Sequence, residues 1–417
     1  MCAHTFAVDF GTSNSAAAFL DGGTIRRIAV EPGADTLPTA VFFPTEGRRM
    51  LIGSAAGKAL IAGEEGRYMR ALKSILGTTL FHEERPIGGK RRKLSDIVTA
   101  FLIDIRQKAE AETGKRFDHV LSDRPVRFHS TDDDRDARAE TDLRGCYQAA
   151  GFERVDFLYE PEAAARASVG LSGAGETGLI VDIGGGTSDF TLFRNGAEGI
   201  EILASHGIRL GGTDFDTEVS MAHAMPLLGH GGELRRSFGD ERLPVPNAIY
   251  RDLASWAKIP FLYARNTERQ VADMLAHAVE TEKIGRLEQV ITERLGHDLA
   301  FAVEAGKIAA NGSTAPARID MTPIEAGLTA RITQGSLNAC LSGFSDRLRE
   351  AVMATLVAAG TPPGEVQTAI FVGGSSLMSL VGSVIEATCP FAGIRHSDAF
   401  TAIVDGLALA TSEEAFA

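Results

Sequence analysis

Cysteine is scarce in this 417-residue chain, and the four thiols, Cys2, Cys146, Cys340 and Cys389, lie far apart with no C-x-x-C pair. No histidine stands near them at ligand spacing, so a disulfide framework and a structural zinc site are both excluded, and a reducing compartment fits. An excess of basic residues is also missing. Lys plus Arg number 42 against 55 Asp plus Glu, a formal net charge of −13, which argues against a nucleic-acid or anionic-membrane binder. The start, Met1 to Phe10, has no basic stretch followed by a long apolar run, so no signal peptide is expected and the expected location is the cytoplasm. No long apolar run is unbroken. The most apolar window, Ala369 to Ala387, is split by Gly373-Gly374-Ser375-Ser376 and contains Glu386, which predicts strand, turn and helix in a soluble core.

Two familiar phosphate loops are absent as well. Gly53 to Lys58 is one residue short of a Walker A loop, with Ala59 where a metal-binding hydroxyl would stand. Gly173 to Gly178 spells G-x-G-x-x-G but precedes an apolar run instead of following one, so it reads as a linker loop. The acidic run Asp132-Asp133-Asp134 reads as the first turn of a helix, where carboxylates complement the macrodipole, and not as a calcium site.

What is present is an ordinary globular composition, 44% hydrophobic and 23% charged, in a length that suits two or three compact units at about 150 residues each. An internal repeat organises it. Val8-Asp9-Phe10-Gly11-Thr12-Ser13-Asn14 returns as Val181-Asp182-Ile183-Gly184-Gly185-Gly186-Thr187-Ser188-Asp189, at the period of a duplicated domain. Each copy is followed by an apolar run, an Asp21-Gly22 or Asn195-Gly196 turn, and a further run. Both therefore read as strand, glycine turn, strand, hairpin, strand, which disfavours a dinucleotide-binding unit with its helix after the glycines. Helical spacing covers Asp96 to Ala111, Asp132 to Ala150, Thr267 to Leu295, His297 to Ala310, Gln334 to Ala359, Met378 to Ala387 and Phe400 to Ser412.

The repeat also carries the chemistry. Glycine turns expose backbone amides that suit phosphate oxygens, and a duplication lets two such turns face each other. Each follows an aspartate at a strand end, Asp9 and Asp182. Two carboxylates in one phosphate cleft need a cation between them, and magnesium, which touches one or two carboxylates and keeps its waters, is the expected metal.

Residues 5 to 20 and Leu179 to Phe193 resemble the two phosphate motifs of the actin-like ATPases, most closely those of the DnaK-type (seventy-kilodalton) heat-shock chaperones. Glu160-Pro161-Glu162-Ala163-Ala164-Ala165 resembles the family's connecting helix, Leu210-Gly211-Gly212-Thr213-Asp214-Phe215-Asp216 its Leu-Gly-Gly-x-Asp-Phe-Asp, and Ile370 to Ser376 its adenosine motif. The resemblance implies ATP or ADP with magnesium. It assigns the terminal phosphates to Gly11, Thr12, Ser13 and Asn14 and to Gly184, Gly185, Gly186 and Thr187. Lys73 matches the catalytic lysine, Glu160 the glutamate that positions water, and Asp189 a carboxylate holding water or a monovalent ion. Asp9 and Asp182 are the metal-proximal pair, and Gly211 and Gly212 belong to the nucleotide-binding set. Glu304 and Lys307 correspond to ribose ligands, and Gly373, Gly374 and Ser375 to adenine contacts. Leu377 stands where the family has an arginine that stacks on adenine.

The resemblance implies an α/β fold of two actin-like lobes, a duplicated ribonuclease-H-like domain with nucleotide in the cleft. Lobe one is expected over 1–175, with a C-terminal helix at about 396–417 packing back on it. Lobe two is expected over 176–395, with an insertion at about 214–310. The expected function is a slow magnesium-dependent ATPase acting as a conformational switch, similar to the YegD-type subfamily, with no peptide-binding domain after Ala417 and an unknown protein partner that reads the ATPase body. A filament-forming actin relative and a small-molecule kinase on the same fold are the alternatives.

Overall fold

The computed structural model describes residues 5–45, 49–129, 131–168, 172–196, 199–236, 241–397, 401–413 and 416. Cys2 and Phe400, where the last helix was expected to start, lie outside them. The chain forms two compact units, Met1–Gly212 with Asp346–Ala417, and Thr213–Ser345.

Two sheets of one topology dominate the first unit, beside a small sheet of Ala40–Pro44, Leu51–Ile52 and Gly66–Arg70 and a hairpin of Arg85–Ile87 with Lys90–Arg92. In the first sheet β1 (Thr5–Phe10), β2 (Asn14–Asp21) and β3 (Thr24–Arg27) form an antiparallel meander, and β4 (Thr36–Pro38) pairs with the start of β2. On the free edge of β1, β5 (His119–Arg124) and β6 (Arg154–Tyr159) add in parallel, giving the order β6-β5-β1-β2-β3. The second sheet repeats this. Its meander is β7 (Thr177–Ile183), β8 (Ser188–Gly196) and β9 (Gly199–Ile208), and β10 (Thr368–Val372) and β11 (Gly393–His396) add in parallel to give β9-β8-β7-β10-β11. The central strands β1 and β7 are buried almost throughout, as near-continuous apolar runs require. Asp9 pairs across the ladder with Ala16, and Asp182 with Asp189, so the duplicated register is kept while one partner differs. The expected order of strand, turn, strand, hairpin, strand holds in both copies.

The helix Asp133–Ala149 starts as its acidic run predicted: Asp132 Oδ1 accepts the Arg135 N–H at 2.9 Å, an N-cap bond. The apolar window after Thr368 is β10, a tight turn at Gly374–Leu377 and the helix Ser379–Thr388. Among the described residues no helix is long and apolar enough to cross a membrane, and Cys146, Cys340 and Cys389 are free thiols.

Two short helices of small residues join the sheets. Glu160–Ala167 turns Ala163 toward a core with Ala7, Ala16, Ala18 and Leu121 of the first sheet, and turns Ala164 and Ala165 toward Ile180, Phe193 and Ile370 of the second. The helix Ala402–Ala410 shares the first core through Val404, Leu407 and Ala408, and Arg27 clasps its Asp405 with Nε–Oδ1 at 2.8 Å and Nη2–Oδ2 at 2.5 Å.

The second unit is largely helical, with Arg265–His277, Thr281–Thr292 and Gly296–Ala310 and two hairpins, Glu233–Arg235 with Arg242–Pro244 and Ala317–Asp320 with Thr329–Ile332. The helical spacing read across Thr267 to Leu295 breaks in the middle. Ala278 is extended, and the Val279 N–H donates to the Glu233 carbonyl at 3.0 Å, so a backbone bond to the first hairpin replaces a helical turn.

Gly406 sets the approach of the two small-residue helices. A Cβ there would collide with the backbone carbonyl of Ala163. Gly406→Ala should therefore lower the denaturant midpoint, by about 1–3 kcal/mol of stability, against the roughly 1 kcal/mol that helix propensity alone would add. A midpoint at or above the parental value would show that the helices have room to separate.

Candidate functional site

Within the first unit, aspartates gather at strand ends. Asp9 and Asp182 stand one residue before the ends of β1 and β7, and Asp123 near the end of β5, the edge at which open α/β sheets bind ligands. Asp189, opposite Asp182, adds a fourth carboxylate, and Glu160, the first residue of its helix, a fifth. All five are buried, at 9% exposure or less. A single lysine meets them. Lys73 sits on the turn Leu72–Ile75, entered through Ala71 in the left-handed region at φ 59°. Its Nζ donates to Asp123 Oδ2 and, at 2.7 Å, to Glu160 Oε1.

Electrostatics follow from this crowding. Burial raises the Glu160 carboxyl, Lys73 pulls it back, and Asp123 and Asp182 push it up again, leaving it at about 8. Asp182 also reaches about 8, first through burial and then through Asp189. Asp9 is raised well above the carboxylate range by burial and then by Asp123, and Asp189 by burial and then by Glu160. Burial works against the Lys73 ammonium, but Asp123, Glu160 and Asp9 outweigh it and hold its pKa above that of an ordinary lysine. Five acids around one ammonium leave the site short of positive charge.

The two glycine turns face each other. A Cβ on Gly185 would lie 2.5 Å from Ser13 Oγ, and one on Gly186 3.1 Å from Thr12 Oγ1, so the second turn comes up against the side chains of the first. The Gly184 N–H donates to the Thr187 carbonyl at 3.1 Å, closing the second turn, and Asp189 Oδ1 accepts the Val126 N–H at 2.7 Å. Asn14 opens β2 just after the first turn, and Gly11 packs its Cα against the Asn14 carbonyl. Gly211 lies against the Gly185–Gly186 backbone, and the Gly212 N–H donates to the Gly184 carbonyl at 2.9 Å. Ser375 Oγ abuts Gly212, and Gly373, at φ +79°, lies against Ile183 and Asp182. Gly374 begins the turn that Leu377, 53% exposed, completes. The residues of the two glycine turns, the aspartates, Lys73, Glu160 and the Gly373–Ser375 turn thus share one neighbourhood.

A cation fits here. Asp182 Oδ2 and Asp189 Oδ2 are buried with no hydrogen-bond partner, a costly state for a carboxylate oxygen unless something positive or protonated meets it. Among the described residues no three acidic, histidine or cysteine side chains form a closed metal cage.

Glu304 and Lys307 lie on the helix Gly296–Ala310 of the second unit. Lys307 is buried, with Nζ 2.6 Å from Asp216 Oδ1, and Asp216 Oδ2 accepts the Trp256 indole N–H at 3.1 Å. The i, i+3 spacing of Glu304 and Lys307 missed Asp216 because the lysine's partner is supplied by a helix far away in sequence, Gly212–Val219. Asp123 was missed for another reason. It ends an apolar run, His119-Val120-Leu121-Ser122-Asp123, as Asp9 and Asp182 do, but no glycine turn follows to draw attention to it.

A family model described as Hsp70 protein matches residues 5–226. The chaperone protein DnaK of Endomicrobium trichonymphae is 32% identical over 221 residues, 51% of this chain and 34% of the relative. The chain thus spans about a third of the length of this curated relative.

The raised carboxyls fix a pH dependence. Between ordinary carboxylate values of about 4 and about 8 for Asp182, the folded chain holds a proton that the unfolded chain has released. Stability contributed at this position is therefore lost as pH rises through that interval. Asp182→Asn removes the titration, so in thermal unfolding without nucleotide or divalent cation its Tm should rise relative to the parent from pH 5 to pH 8. A Tm difference independent of pH would refute the assignment.

Proposed function

Because the chain belongs to the Hsp70 family, we propose that it binds ATP with magnesium, hydrolyses it slowly, and uses the bound nucleotide to set the conformation of its two actin-like lobes. The observation that carries this reading is Lys73 held between Asp123 and Glu160, in the same neighbourhood as two facing glycine turns. The amides and hydroxyls of residues 11–14 and 184–187 hold the phosphates. Asp9 and Asp182 would hold magnesium, which supplies neutralisation of phosphate charge when bound. Lys73 has three ammonium N–H groups, of which two go to carboxylates, leaving one for a phosphoryl oxygen as charge moves onto it in the transition state. Glu160 orients the attacking water, and its pKa of about 8 lies near the operating range of a general base. Thr187 and Asp189 order solvent or a monovalent ion beside it. Gly211, Gly212, Gly373, Gly374, Ser375 and Leu377 are assigned to the nucleoside. The ribose roles of Glu304 and Lys307 rest on the resemblance alone.

Lobe boundaries near residues 175 and 395 are supported by the sheets, since the first draws its strands from 5–159 and the second from 177–396. Membership of the YegD-type branch rests on the Met225 to Glu233 stretch, which departs from the usual chaperone pattern. Free thiols support a cytoplasmic location. The kinase alternative needs a spare carboxylate to take a proton from a substrate hydroxyl. Asp123 is not spare, because both its oxygens are engaged.

Lys73→Ala should lower the rate of ATP hydrolysis by roughly 10²-fold or more while nucleotide binding is largely retained, as expected for a group that acts in the transition state. Parental turnover in this variant would displace the lysine from the mechanism. Calorimetry tests the metal assignment: Asp9→Asn and Asp182→Asn should weaken magnesium-ATP far more than metal-free ADP, and equal losses for the two ligands would reject it.

A further inference from the structure

We propose that Asp123 is a positioning residue that sets where the Lys73 ammonium stands and keeps Glu160 available for water. This rests on the ATPase reading above. Asp123 is fully buried, and its two oxygens do different things. Oδ1 accepts the backbone N–H of Phe10 at 2.6 Å, and Oδ2 accepts from Lys73 Nζ. Phe10 lies between Asp9 and Gly11, so one side chain ties the lysine to the backbone that opens the first phosphate turn. In this respect Asp123 differs from Asp182 and Asp189, each of which keeps an Oδ2 without a partner. Those two are disposed to meet a cation, and Asp123 is disposed to hold an ammonium.

The need for such an anchor follows from the lysine itself. A lysine ends in a compact charge on a stem of four rotatable carbons, with no fixed fork to aim it. One carboxylate at its tip would leave it free to swing about that contact. Two carboxylates on different elements, the β5 end and the start of the Glu160–Ala167 helix, fix the nitrogen by triangulation and direct the remaining N–H away from both. If Asp123 were lost, Lys73 would have Glu160 as its remaining carboxylate partner. The pair would close on itself, with the ammonium drawn from the phosphoryl group and the glutamate drawn from water. Both losses fall on the transition state, and neither touches the binding of the nucleotide.

The test is a double-mutant cycle on the full chain, with kcat and KM for magnesium-ATP measured for the parent, Asp123→Asn, Lys73→Ala and the combination. An asparagine can offer its carbonyl to Phe10 or to Lys73 but not to both. Asp123→Asn should therefore lower kcat by roughly 10-fold or more with KM nearly unchanged, and it should cost nothing further in the Lys73→Ala background. Asp123→Ser, which removes the carboxylate without placing an amide N–H against the ammonium, should give the same pattern and serves if the asparagine variant fails to fold. Magnesium-ADP affinity by calorimetry should match the parent in both. Multiplicative losses in the double variant would overturn the proposal, as would a rise in KM without a fall in kcat, or a loss of magnesium-dependent affinity like that of Asp9→Asn. A parent with no ATP hydrolysis would overturn the underlying ATPase reading instead, whatever the variants do.

Discussion

Charge imbalance in a buried place is the constraint on which the rest of the first unit depends. Asp9, Asp123, Glu160, Asp182 and Asp189 are all withdrawn from water around the single ammonium of Lys73. Ionised groups cannot be held in that way at no cost, and burial with mutual repulsion raises the carboxyls of Asp9, Glu160, Asp182 and Asp189 above their ordinary range. The chain also leaves one oxygen each of Asp182 and Asp189 without a hydrogen-bond partner. A site so arranged is poised to take up positive charge, and a ligand that brings a cation with it would relieve the imbalance.

The scaffold around that point is built to bring main chains close. Gly211 lies directly against the Gly185–Gly186 backbone, and the missing side chains at 185, 186 and 212 leave room for Ser13, Thr12 and Ser375. Alanines on Glu160–Ala167 let one helix serve the cores of both sheets. The helix that starts with Glu160 is thereby fixed along its length by apolar contacts, so the position of its carboxylate is inherited from the packing of Ala163, Ala164 and Ala165. Site and core are continuous here.

Much of this was legible in the sequence. The repeat at Asp9 and Asp182 announced two equal meanders, because a glycine turn between apolar runs has few other outcomes, and the acidic start of the Asp133–Ala149 helix declared its cap. What local pattern could not carry was partnership across long separations. Lys73 meets Asp123 fifty residues on, and Lys307 meets Asp216 on a different element. Neither contact leaves a trace in spacing, because burial and pairing are decided by the register of strands and the placing of turns. The break at Ala278 was hidden for a similar reason, since the bond that ends the helix comes from Glu233.

The duplication keeps its five-strand order and is unequal in chemistry, and that inequality bears on how such a site can be assembled at all. The first copy holds Lys73, Asp123 and Glu160, with Ala16 across from Asp9, whereas the second places Asp189 across from Asp182. Residues 176–212 and 346–417 contain no lysine. Two first halves joined by a two-fold axis would carry a pair of ammonium groups and no counterpart of Asp189. Two second halves would carry carboxylates and no ammonium of this kind. Only unlike halves make the set complete, so the covalent chain between them is a stoichiometric guarantee: every molecule receives one of each.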